Sequence, residues 1–330
     1  MAVATRKTPA RRFLRRPDAA IIIGAVSVFV VFAVMNPVIW FSFFNIRNIT
    51  SFTAILGLVA IGEALLILCR EIDVSVGSVY GVVGIAFVSF EPGLGVTFAL
   101  VAALLIGAAI GLVNGILVVR FGLSSLIVTL GALLFYRGLI YLTTGGTVRS
   151  FTSETESHPI VQLFGGNWLL GLENGFWWFL VTVGLFTYLL TRRRYGNQLL
   201  AIGGSSPSAA SRGVRVSTVK LLAFVICSFM AGFAGIVTLA NEPRTNVNIG
   251  DGLELQVIAA AVTGGVLLTG GRGTVIGASF GAFFLVAVRS ELVAMGAPAD
   301  FYISFVGFIL VAAAILNISI QRRLAGVRVA

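Results

Sequence analysis

Ten apolar runs, near residues 20–40, 52–69, 76–90, 95–119, 125–143, 176–191, 220–240, 255–269, 274–290 and 301–319, constrain this chain more than any other feature of its sequence. A helix needs about 20 apolar residues to cross the hydrocarbon core of a bilayer. The 330 residues therefore allow about ten spans with short loops and leave no room for a sizeable soluble domain. With 58% hydrophobic and 11% charged residues and a mean hydropathy of +1.01, the composition lies outside the range of ordinary soluble domains. The expected fold class is an all-α polytopic membrane protein. Residues 1–19 read as a basic N-terminal arm, 20–319 as the transmembrane domain and 320–330 as a basic tail. The run at 20–40 lacks a convincing small-residue cleavage site and reads as a retained first span.

The net charge of +10 is not spread as a nucleic-acid-binding surface would be. Arg6, Lys7, Arg11, Arg12, Arg15 and Arg16 precede the first run; Arg192, Arg193, Arg194, Arg212, Arg215 and Lys220 share the loop 192–219 and its edge; Arg322, Arg323 and Arg328 form the tail. An even number of spans puts all three clusters on one side, together with Arg70, Arg120 and Arg272, and leaves only Arg47, Arg149, Arg244 and Arg289 on the other. Lys and Arg in short loops set orientation, so both termini are expected on the cytoplasmic side of the membrane. Cys69 and Cys227 lie in or beside apolar runs and are expected to pack as small hydrophobes without a disulfide. The outer loop 144–175 carries Trp168 and the chain's one histidine, His158, and is expected to serve as a docking surface.

Between the second and third runs stands Glu71-Ile-Asp-Val-Ser-Val-Gly-Ser78, a polar octad that cannot sit in lipid. Irregular backbone and carboxylates at membrane depth must be buried in protein, line a wet cavity or lie at the membrane face. Asp73, Ser75 and Gly77 are thus read as a helix break or gate, with Asp73 or Ser75 capping the helix that follows. Glu71 beside Arg70 reads as an interfacial pair. Two further ionisable groups lie within runs, Glu63 and Arg137. A pair between them is one reading, but their expected depths differ by about six residues, roughly 9 Å.

An internal repeat emerges from the glycines. Ile106-Gly107-Ala108 with Gly111 and Gly115 recurs as Ile276-Gly277-Ala278 with Gly281, in spans expected to run in opposite directions. Small residues four apart allow close helix approach, and opposed copies are what an inverted repeat produces. Asp73-Val-Ser-Val then corresponds to Glu254-Leu-Gln-Val, expected at the outer face. In the loop 192–219, Gly203, Gly204 and Ser205 lead into Ser206, read as an N-cap, and Pro207, read as the first residue of a helix of about six residues through Ala209 and Ala210, which Gly213 stops. Such a helix is too short to be stable alone and needs a partner surface or the membrane face.

The octad resembles the Ile-Asp-Leu-Ser-Val-Gly-Ser signature of the permease subunits of bacterial monosaccharide ABC importers, a group that takes in ribose, xylose, arabinose, rhamnose and autoinducer-2 permeases. Val74 stands in place of the usual Leu. Three other stretches are similar in order: Thr129 through the Arg137-Gly138 pair; Ala201-Ile-Gly-Gly, with Ser205 for the family's Asn and Ala209-Ala210 displaced by about one position; and Leu253-Glu254 through Gly264-Gly265 and Gly270-Gly271-Arg272-Gly273 to Gly277. Gln256 stands where relatives often have Asp. The likeness covers about 45–317 and favours a structural role for Arg137. It implies that an ATPase subunit docks at 203–213, that ATP and Mg are held there, with no cofactor on this chain, and that a periplasmic sugar-binding protein delivers the solute. One copy resembles half of a pore, so a second permease chain, itself or a paralogue, completes it. Cys69-Arg70-Glu71 with the octad leans toward the rhamnose and autoinducer-2 branches.

The expected function is a permease for a monosaccharide or a similar small polyol or furanosyl solute, in contact with membrane lipid. The alternative is a secondary transporter, which also uses inverted repeats and broken helices but needs ionisable groups within the spans for ion coupling. An enzyme is disfavoured: no catalytic or metal-ligating constellation is visible, and no Gly-x-x-x-x-Gly-Lys-Ser/Thr phosphate loop occurs.

Overall fold

The computed structural model describes the backbone of residues 19–324 and the side chains of 21–298 and 301–315. The N-terminal basic cluster, Arg328 and the side chains of Asp300, Arg322 and Arg323 lie outside the described residues. The helices are α1 (Ala19–Met35), α2 (Pro37–Trp40), α3 (Phe43–Leu68), α4 (Val76–Val119), α5 (Ser125–Thr144), α6 (Ser153–Glu156), α7 (Pro159–Gly165), α8 (Asn174–Arg192), α9 (Arg194–Gly204), α10 (Ser206–Ser211), α11 (Val216–Asn241), α12 (Leu253–Thr263), α13 (Val275–Ala294) and α14 (Ala299–Leu324). A two-residue ribbon, β1 (Arg149–Ser150) antiparallel to β2 (Arg244–Thr245), is an addition to the all-helical expectation.

Among the described residues, six helices, α3, α4, α5, α8, α11 and α13, are long and apolar enough to cross a membrane, and α1, α12 and α14 supply shorter apolar stretches. The 44 residues of α4 would measure about 66 Å if straight, twice a bilayer core. It is instead two spans joined at Gly95, whose φ of 72° and ψ of 160° only glycine adopts readily, three residues after Pro92. Two boundaries depart from the sequence reading. Helix α3 begins at Phe43, nine residues before the expected run, because Ser42 caps it by accepting from the Asn45 amide at 3.2 Å; Asn45, Arg47 and Asn48 had hidden its first turns. Helix α12 ends at Thr263 and is half a span, about 16 Å. Val266, Leu267 and Leu268 extend the hydropathy, but Gly265, Gly270 and Gly271 have φ between 77° and 85° and turn the chain instead.

Close backbone approach builds the core. Helix α11 lies in the groove of α3 and α4: a Cβ on Gly111 would stand 2.5 Å from the Phe224 carbonyl, and one on Gly62 would stand 2.9 Å from Cys227 Cα. Gly107 faces Ser228 and Gly115 faces Leu221 and Phe224. The second glycine pair does the same work on a different neighbour, with Gly277 against the Gly264 carbonyl and Gly281 against that of Ala260. The two glycine faces run in opposite directions, α4 arriving at Arg120 and α13 leaving from the 264–274 turn at the same end of the bundle.

The segment 144–175 folds over the opposite end. His158 caps α7 by accepting from the Ile160 amide at 3.2 Å through Nδ1, a structural role for the single histidine.

Candidate functional site

Helix α3 stops because Arg70 takes a left-handed conformation, φ 70°, and returns the chain alongside the helix it has just left. The Glu71 amide bonds back to the Leu66 carbonyl at 3.2 Å, and residues 71–75 rise without helical structure to the level of Glu63. There Glu63 Oε1 accepts from the Asp73 amide at 3.1 Å, and Cys227 Sγ donates to Oε2 at 3.2 Å. Asp73 Oδ1 accepts from the Ser75 amide at 2.8 Å and from its hydroxyl at 2.5 Å, while Ser228 Oγ donates to Oδ2 at 3.4 Å. Asn114 Nδ2 donates to Ser75 Oγ at 3.1 Å, and the Val74 amide donates to Thr129 Oγ1 at 3.1 Å.

The capping reading therefore needs adjustment. Ser75 is the N-cap residue of α4 but makes no side-chain cap bond; Asp73 closes a turn onto Ser75 instead. Glu63, Asp73, Ser75, Ser228 and Thr129 are fully buried and Asn114 nearly so. The break is thus a polar knot tying α3, α4, α5 and α11 together, and losing a buried partner costs about 1–3 kcal/mol.

Glu63 and Arg137 do not pair, each being held by other groups. Arg137 Nη1 donates to the Ile249 carbonyl at 2.7 Å and the Val247 carbonyl at 3.4 Å, and Nη2 lies 3.7 Å from Asp251 Oδ1. It props up a second irregular stretch, residues 246–252, which precedes α12. Glu254 was expected at the membrane face, far from Asp73. It lies instead against Gly77, where a Cβ would collide with Glu254 Oε2 and stand 2.5 Å from the Gly250 carbonyl. Gly250 and Gly252, at φ 75° and 71°, make this descent. The two broken segments meet at Gly77, inside the bundle.

At the basic end, α9 and α10 form a compact surface. The cap of α10 is Ser205, which accepts from the Ser208 amide at 3.4 Å; Ser206 is helical and bonds to the Ile202 carbonyl at 3.2 Å. The expected cap at Ser206 is displaced by one residue because Ser205 has the extended backbone, φ −161° and ψ 108°, and proline, whose missing N–H is not needed in the first turn, is tolerated at the second helical position. Gly213, at φ 84°, follows the helix end. Ala209 is buried within the chain whereas Ala210 is exposed, so they do not form one face. Helix α9 was not foreseen, although Leu199, Ile202 and Gly203 follow helical spacing and are buried.

Arg70 joins this surface to the break. Its Nε donates to the Gly203 carbonyl at 2.8 Å and its Nη2 to the Gly204 carbonyl at 2.9 Å, capping the end of α9. Gly203 packs on Leu68 and Gly271, and the Gly271 amide donates to the Leu68 carbonyl at 3.0 Å. Glu71 pairs with Lys220 of α11 and not with Arg70, whose guanidinium is committed to the carbonyls. Burial raises the Tyr195 phenol's pKa, and it donates to the Val219 carbonyl at 3.3 Å. A turn, a helix end and a glycine turn therefore interlock where α10 is presented.

The site is thus a multi-span bundle in which two broken segments meet, with a small helical platform locked to the turn that leads into the first of them. The chain belongs to the branched-chain amino acid transport system / permease component family, whose model matches residues 45–314. It is 35% identical over 309 residues to the autoinducer 2 import system permease protein LsrC of Enterobacter sp. (strain 638), covering 93% of this chain and 88% of that protein. It is 34% identical over 300 residues to LsrC of Photorhabdus luminescens, with 90% and 89% covered, and 34% over 277 residues to LsrC of Escherichia coli (strain K12 / DH10B), with 83% and 79% covered. No solved structure matches the chain. The protein is a multi-pass inner-membrane permease subunit of an ABC importer for a sugar-type solute, a transport component that works with a separate ATPase and a periplasmic binding protein.

Proposed function

We propose that the chain, paired with a second permease copy or a paralogue, forms the path by which autoinducer 2 or a closely similar furanosyl solute crosses the inner membrane. The basic end faces the cytoplasm, in keeping with its arginines. There α9 and α10 receive the ATPase, which holds ATP and Mg, while the opposite end meets the loaded binding protein. The observation that carries the coupling is the Arg70 clamp, because it ties the exposed platform to the turn that leads directly into Asp73.

A push on α10 therefore reaches the break through one side chain and one glycine contact. The secondary-transport alternative loses ground here: Glu63 is wholly enclosed and already bonded to the Asp73 amide and Cys227, with no free face for a coupling ion. The test is uptake of autoinducer 2 by proteoliposomes holding the permease, its ATPase and its binding protein. Uptake should need all three and hydrolysable ATP, and the solubilised complex should contain two permease chains by mass. A transporting complex with one permease chain would overturn the pairing.

A further inference from the structure

The second break presents charge where lipid would forbid it. On α5, the Leu133 carbonyl accepts from Ser78 Oγ of α4 at 3.0 Å and Arg137 donates to the Ile249 carbonyl at 2.7 Å. These positions lie eight and twelve residues from Ser125, about 12 and 18 Å along a helix that spans about 30 Å. Residues 249–254, held between Arg137 and Gly77, accordingly lie near the middle of the membrane. The backbone of 246–252 is irregular, yet Asn246, Asn248 and Asp251 are exposed, the Asp251 side chain 74% so. Tyr141 donates to Asn248 Oδ1 at 3.1 Å from the same side.

An irregular backbone and an ionisable side chain at this depth are tolerated inside protein or against water, not against hydrocarbon. Arg137 at 3.7 Å does not cover Asp251. Glu254 Oε2 is buried with no hydrogen-bond partner among the described residues, a second acceptor in the same stretch.

Resting on the importer reading above, we propose that Asn248, Asp251 and Glu254, with Arg137 and Tyr141, form the water-facing wall of the solute path and a transient site for an uncharged polyhydroxylated solute. Carboxylate and amide oxygens accept from neighbouring hydroxyls, while the guanidinium, amide and phenol groups donate to ring and hydroxyl oxygens. The 3.7 Å contact between Arg137 and Asp251 is long enough to be exchanged for the solute, and the arginine, anchored by two carbonyls, keeps its place when the carboxylate turns.

Asp251→Cys and Leu134→Cys provide the test, since Leu134 lies on α5 between Leu133 and Arg137, at the same depth, and is 71% exposed. Cys69 and Cys227 are fully buried and give no background. Each variant, in the complete complex in membrane vesicles, is treated with a membrane-impermeant quaternary ammonium methanethiosulfonate. Asp251→Cys should react on the order of a hundredfold faster than Leu134→Cys, because only a thiol in water reacts as thiolate. Autoinducer 2 with its binding protein and ATP should then slow the labelling. Equal, slow labelling of the two sites would overturn the proposal, as would a disulfide between two Asp251→Cys copies without labelling, which would make the face a subunit contact. Failure of the solute to slow labelling while wild-type complex imports it would also overturn the site. Fast labelling of Asp251→Cys, when the wild-type complex imports no autoinducer 2, would count against the solute assigned above and support the wall.

Discussion

Replacing Arg70 by glycine should uncouple the importer without unfolding it. The side chain makes two hydrogen bonds, to Gly203 and Gly204, at 2.8 and 2.9 Å. A bond from a charged donor contributes about 1.5–3 kcal/mol, and a cation at a helix C-terminus adds about 0.3–1 kcal/mol. The bond to Gly204 is exposed and is worth less, so about 2–3 kcal/mol of anchoring for α9 is a fair total. At 1.4 kcal/mol per tenfold, the anchored form of the platform should fall by about 30- to 150-fold relative to the loose one. Glycine is the informative substitution because position 70 has a φ of 70°, a conformation that costs a non-glycine residue about 1–2 kcal/mol. Arg70→Gly therefore relieves strain in the turn as it removes the clamp, which offsets part of the lost anchoring, and the thermal stability of the purified permease should hold or fall slightly. Uptake per ATP hydrolysed should drop at least about tenfold, with membrane insertion unchanged, and Arg70→Lys should fall between, since one ammonium cannot serve both carbonyls in the fork geometry of a guanidinium. Wild-type uptake and ATPase stimulation in an Arg70→Gly complex would refute the reasoning.

Ala210→Glu, on the exposed face of α10, should abolish ATPase docking in a pull-down while leaving the permease folded; Ala209→Glu, at 3% exposure, should lower expression and Tm instead. Gly111→Val should separate α4 from α11, since even a Cβ would lie 2.5 Å from the Phe224 carbonyl, and should cost about 1–3 kcal/mol or more in a detergent unfolding assay. Asp73→Ala strands the Ser75 amide and hydroxyl and should destabilise by about 1–3 kcal/mol, with Asp73→Asn milder because one amide oxygen can still accept. Impermeant thiol reagents should label Ser157→Cys in intact cells and Ser208→Cys only after permeabilisation; identical behaviour at the two sites would sink the assigned orientation.

The sequence marked out the architecture wherever one residue type has one physical answer. Long apolar runs announce spans, an Asp-x-Ser flanked by apolar residues announces a break, and glycines four apart announce close packing against a neighbouring backbone. It was silent where the answer depends on what lies across space. Glu254 looked like a face residue because hydropathy falls around Asn246 to Asp251; nothing local says that this stretch dips inward until Arg137 receives it. The shortness of α12 lay in its glycines but was masked by Val266 to Leu268. Helix α9 hid between arginines, its buried Leu199 and Ile202 read as part of a loop. The commitment of Arg70 to carbonyls 133 and 134 residues away had no local signal at all.

Solute flux under two alternative driving forces tests the central claim most directly. Purified permease in proteoliposomes is given autoinducer 2 with its binding protein, either with the ATPase and ATP sealed at the basic face, or with a proton or sodium gradient and no ATPase. An ATP-driven permease predicts accumulation in the first case, abolished by a non-hydrolysable nucleotide, and none in the second. Accumulation driven by the ion gradient alone would contradict the account.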